Sequence, residues 1–151
     1  MPTIVYCHMT WMLVAVAIGT WSGYLGLLRA LQDRDGRTRL PGRFNLRTHT
    51  WTGIVYYAML YVGILGGFLM AEFLLDGFST AGIWRVHAWL GVAVGAVYAP
   101  AAWLGLRLLW KPGGSRTRAI AHMVLNDTAC TLIGVQILVA LLAVKGLIWR
   151  R

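Results

Sequence analysis

The sequence predicts an all-α protein, an integral membrane up-and-down four-helix bundle, and three observations predict it. Four apolar runs, each long enough to cross a hydrocarbon core of ~30 Å, dominate a chain of 151 residues with 58% hydrophobic content and a mean hydropathy of +0.64. The four histidines of the chain, His8, His49, His87 and His122, each open one of these runs. The 14 Lys and Arg residues, against 5 Asp and Glu, concentrate in the connections and at the ends. A net charge of +9 could attract nucleic acid, but this confinement is better explained by membrane topology, so a lipid bilayer and no nucleic acid is the expected partner.

The first helix is expected over about residues 3–31, with Pro2 tolerated at or before its first turn. It lacks the basic start of a signal peptide and its apolar run is longer than one, so it reads as retained. A basic segment follows, with Arg29, Arg34, Arg37, Arg39, Arg43 and Arg47 against Asp33 and Asp35, and Pro41-Gly42 marks its turn. The second helix is expected over about 45–75, with Asn45 as a good N-cap type. After Asp76-Gly77-Phe78-Ser79-Thr80, a third is expected over about 80–110, with Pro100 removing one backbone donor and kinking it. Lys111-Pro112-Gly113-Gly114-Ser115 breaks the chain before a fourth over about 115–149. These helices form a single transmembrane domain spanning 1–151.

Lys and Arg counted by side give an orientation. The first and third connections hold ten and the other face four (Arg85, Lys145, Arg150 and Arg151). The basic loops are therefore expected in the cytoplasm and both termini outside, as in a bacterial inner membrane. Trp11, Trp51, Trp84, Trp89, Trp110 and Trp149 fall near helix ends, where an interfacial belt requires them. Cys7 and Cys130 lie at different depths, which excludes a disulfide within one chain, and no Cys-x-x-Cys-His sequence is present for covalent haem attachment.

The histidines are spaced by 41, 38 and 35 residues, about one spanning helix plus a loop each time. Successive spans alternate in direction, so His8 shares a depth with His87, and His49 with His122. Same-direction helices of an up-and-down bundle are diagonal, and each pair faces across the core, where such bundles hold cofactors. Two facing imidazoles at each end suit two six-coordinate haems. The positive end of the helix macrodipole and the apolar surroundings both favour the neutral ring that ligation needs.

A second pattern repeats at eighteen residues, five helical turns or ~27 Å along the same face. Counting from each histidine gives Gly26, Gly67, Gly105 and Ala140, and one turn earlier Ser22, Gly63, Ala101 and Gln136. Small residues there give a macrocycle room beside a passing helix, or simply pack helices in lipid, as Gly19-x-x-x-Gly23 and Gly91-x-x-x-Gly95 would. Gly53 and Gly91 stand one turn beyond His49 and His87 and would let a porphyrin lie close. Asn126 holds that place after His122, and Met12 after His8.

Four helices, a histidine near the start of each and crosswise pairing resemble the cytochrome b561 family. The stretch Arg85-Val86-His87-Ala88-Trp89-Leu90-Gly91 is similar to the family's surroundings of a haem ligand. Leu46-Arg47-Thr48-His49 and Gly66-Gly67 resemble a smaller group of four-helix b561-like membrane proteins. The resemblance covers nearly the whole chain. It implies two b haems, bis-His ligated by His8/His87 and His49/His122, and electron transfer between the membrane faces. Ascorbate, a quinol or a protein serves as donor in different branches. The basic ascorbate motif is not evident, so a quinol is the expected small partner.

Arg47, Arg85 and Arg118 stand where a haem propionate would gain a charge-assisted partner, or where arginines set topology at the interface. Asp127, well inside the fourth run, is a candidate for proton handling or a quinone head group, or a partner for loop arginines. Two protein ligands leave no open position on iron, which points to electron relay rather than dioxygen activation. Three other readings stay open: a haem-bearing anchor subunit of a larger respiratory or photosynthetic complex without its own substrate site; a chlorophyll-type pigment protein; and a non-redox channel or scaffold. A larger redox complex and a homodimer are the two assemblies left open.

Overall fold

The computed structural model describes residues 3–32, 40–74, 82–110 and 116–149. Four helices form it: α1 (Thr3–Ala30), α2 (Leu46–Leu74), α3 (Ile83–Trp110) and α4 (Arg116–Trp149). Among the described residues there is no strand. All four are long and apolar enough to cross a membrane, with mean hydropathies of 1.5 to 2.0 in their most apolar windows.

Local chemistry sets the helix ends. Asn45 caps α2, its Oδ1 accepting the Thr48 N–H at 3.0 Å and its main-chain oxygen the His49 N–H at 2.9 Å. Before α3, Gly82 takes φ +97°, a left-handed conformation that costs glycine little. Its carbonyl accepts from Arg85 and Val86, so α3 begins at Ile83 rather than near residue 80. Helix α3 runs unbroken through Pro100. The expected connections 33–39, 75–81 and 111–115 lie outside the described residues.

The helices are apolar outward. Leu13, Leu65, Phe73, Trp89 and Leu138 are exposed, as are Trp51 and Trp110 near helix ends, while Ser22 is buried. A water-soluble monomer seldom presents this much apolar surface. The hydroxyls of Thr20, Thr52, Thr128 and Thr131 turn back onto the carbonyl one helical turn before them, at 2.8 to 3.0 Å. Polar groups on apolar helices are thereby satisfied locally.

The chain divides into two compact units, residues 1–63 and 64–151. In the first, α1 and the N-terminal part of α2 run antiparallel: Trp11 Nε1 donates to the Met59 carbonyl at 2.8 Å near one end, and Ser22 meets His49 near the other. Gly19 admits the Tyr56 ring, which lies only 2.6 Å from where a Cβ would stand, and Gly63 admits Met12 and Trp11. At the turn, Tyr24 donates to the Pro41 carbonyl and the Arg29 guanidinium lies 5.8 Å from the Phe44 ring centre. In the second unit, α3 and α4 are also antiparallel: Gln136 meets His87, Tyr98 Oη lies 3.4 Å from Cys130 Sγ, and Ala101 meets His122.

The sequences of α1 and α3, and of α2 and α4, follow one plan. Superposing the numbering at His8 and His87, and at His49 and His122, brings Tyr24-Leu25-Gly26-Leu27 over Trp103-Leu104-Gly105-Leu106 and Val62-Gly63-Ile64-Leu65 over Val135-Gln136-Ile137-Leu138. Where they differ, large and small trade helices. Gly19 on α1 accepts Tyr56 of α2; at the equivalent places stand Tyr98 on α3 and Ala129 on α4, both buried. Met12 fills the space over Gly63, whereas Gln136 fills the space over Gly91. Close approach of apolar helices depends on such size matching, because lipid gives no hydrophobic drive for helix to bind helix.

Candidate histidine ligand sites

In the first unit His49 is seated against α1. Its Nδ1 lies 2.9 Å from the Ser22 carbonyl. A carbonyl can only accept, so Nδ1 carries a proton, and in the neutral ring the lone pair is on Nε2. The Ser22 hydroxyl donates in return to the His49 carbonyl at 3.3 Å. The ring lies over Gly26, whose Cβ would come 3.3 Å from Cε1, and the Ser22 Oγ lies 3.5 Å from the Cβ position of Gly53. Phe44 packs at 5.9 Å between ring centres.

The second unit repeats the arrangement around His122. Nδ1 donates to the Ala101 carbonyl at 2.8 Å, again leaving the lone pair on Nε2. Gly105 lies beneath the ring, 3.0 Å from Cε1 at its Cβ position. Ala101 has no hydroxyl, and Asn126 supplies what Ser22 supplies in the first unit: its Nδ2 donates to the His122 carbonyl at 2.6 Å and lies 3.5 Å from Nε2.

His87 differs. Its carbonyl accepts from Gln136 Nε2 at 3.4 Å, and that amide occupies the gap over Gly91, 3.1 Å from the Cβ position. Its Nδ1, however, is buried without a hydrogen-bond partner. An unsatisfied buried polar group costs about 1–3 kcal/mol, so this ring is held short of its full bonding. His8 is half-buried on α1.

The remaining expected residues are placed as follows. Gly67 on α2 and Ala140 on α4 are half-buried, and Arg47, Arg85 and Arg118 are exposed. Asp127 is exposed on α4, and among the described residues no side chain pairs with its carboxylate. Both cysteines are free thiols. Among the described residues no cluster of three or more His, Cys, Asp or Glu is brought together as a protein-only metal site.

Ser22, Ala101 and Gln136 stand out in the sequence only as positions; that Ser22 and Ala101 present a carbonyl to a ring is visible only in the structure. The signal that could have found them is the repeat, which puts Ser22 and Ala101 at one shared position fourteen residues after a histidine. Comparison with family models, with curated proteins and with solved structures finds no match.

Proposed function

We propose that the chain is a transmembrane cytochrome that holds two b haems without covalent attachment, His8 with His87 toward the outside and His49 with His122 toward the cytoplasm, and relays electrons between the membrane faces. The observation that carries the reading is the pair of equivalent bonds from His49 Nδ1 to the Ser22 carbonyl and from His122 Nδ1 to the Ala101 carbonyl. Ligating histidines donate their second ring N–H to such an acceptor, which fixes the tautomer and aims Nε2 at the metal.

The donor set fits haem and not a protein-only metal site. His8, His49, His87 and His122 would hold the two groups through ring nitrogens, so no larger cluster of ligating side chains is needed. Glycine under each anchored ring keeps the imidazole close to the neighbouring helix, and a side chain there would push it off its carbonyl. When bound, the group supplies one-electron chemistry. Ser22 and Ala101 fix the tautomer and the rotation of the His49 and His122 rings.

Four apolar helices with basic connections support an up-and-down bundle with external termini, as in a bacterial inner membrane. The lipid setting favours a quinol as the small donor, whether the chain acts alone or within a larger redox assembly. The test is an absorption spectrum of the purified protein. Dithionite-sensitive b-type bands support the reading. Far-red pigment bands would replace haem with a chlorophyll-type pigment, and no chromophore would remove both.

A further inference from the structure

The geometry points to Gln136 as the positioning residue for His87, its side-chain amide taking the ring Nδ1–H and thereby setting how strongly that imidazole donates to iron; this rests on the haem reading above. At His49 and His122 the same two groups are served, the ring Nδ1 and the main-chain carbonyl. At His87 the carbonyl is served and the buried Nδ1 is not. The repeat puts Gln136 at the place from which that role is filled elsewhere, there by a main-chain carbonyl. Gln136 stands fourteen residues after His122, as Ser22 stands fourteen after His8 and Ala101 fourteen after His87.

The amide has the right chemistry and lies beside His87. Its Nε2 is engaged with the His87 carbonyl, which leaves Oε1, an acceptor, for the same residue's ring. The terminal torsion of a glutamine is broad, so Oε1 can turn toward the ring at little cost. Gly91 makes the approach possible, since a Cβ there would stand 3.1 Å from Nε2. Other polar side chains of α3 and α4 are committed elsewhere, Tyr98 with Cys130 and Asn126 with His122. A main-chain acceptor holds the rings of His49 and His122, whereas a replaceable side chain would hold that of His87.

An acceptor on Nδ1–H strengthens the imidazole as a donor and favours ferric iron. The experiment is an optical redox titration of the purified protein with Gln136→Leu and Gln136→Glu, together with haem content and ¹⁵N spectra of the histidine rings. For Gln136→Leu we expect two haems retained and the midpoint raised at the His87 centre alone. Its oxidised-to-reduced ratio at fixed potential should fall about tenfold, ~59 mV for one electron. Gln136→Glu, which keeps the acceptor and adds charge, should lower the same midpoint. Unchanged midpoints in a haem-loaded Gln136→Leu protein, or a shift in the same direction for both variants, would overturn the assignment. If Gln136→Leu does not fold, Gln136→Glu decides by the sign of its shift. A wild-type protein without haem counts against the haem reading only. The ring spectra then decide the role of Gln136, since the His87 Nδ1–H signal must change on Gln136→Leu and an unchanged signal contradicts it.

Discussion

His122 donates its Nδ1–H to the main-chain oxygen of Ala101 at 2.8 Å, across the gap between two antiparallel helices. The same bond joins His49 to Ser22, so two rings in two units are oriented by one device. A backbone acceptor cannot be deleted by substitution, and what protects the bond is the absence of a side chain at Gly105 and Gly26.

Gly105→Leu and Gly26→Leu should each cost about 1–3 kcal/mol, as overpacking does, and displace the ring they lie beneath. A Cβ alone would sit 3.0 Å from His122 Cε1 or 3.3 Å from His49 Cε1, so alanine should be tolerated better at Gly26 than at Gly105. Thermal unfolding in detergent, read with haem per protein, checks both. Equal stability of all four variants would contradict the packing.

Gly19 and Tyr56 form one layer of the first unit, with no space for a methyl group between them. Gly19→Ala should destabilise by about 1–3 kcal/mol, and combining it with Tyr56→Leu should recover most of the loss. A double-mutant cycle measures the coupling. Strict additivity would mean that the two residues are not in contact.

Asp127 has no side-chain partner among the described residues and faces outward from an apolar span. Leucine is far more favourable than aspartate at such a depth. Asp127→Leu should therefore unfold at the same temperature as the wild type or higher in detergent. A fall of several degrees would reveal an ion pair that the carboxylate makes outside the described residues.

The four helices were legible because their signals are local. Apolar length gave four helices, and Asn45 gave a cap that the structure realises through Thr48. The start of α3 was less so, because the punctuation falls to Gly82, whose positive φ only the structure shows. The ring anchors were illegible for a different reason. Every residue carries a carbonyl, and only the register of α1 against α2, or α3 against α4, selects Ser22 and Ala101. The small residues Gly26 and Gly105 were visible as space, and in each unit the neighbouring histidine ring lies over that space. The exchange of large and small between Gly19/Tyr56 and Tyr98/Ala129 becomes visible only when the two units are aligned on their histidines.

The most direct test is a reductive titration, followed optically, of the wild type and of single alanine replacements at His8, His49, His87 and His122. Two b-type centres are expected in the wild type and one in each variant. His8 and His87 should remove the same centre, and His49 and His122 the other. Loss of both centres from a folded single variant, or of neither, would contradict this pairing.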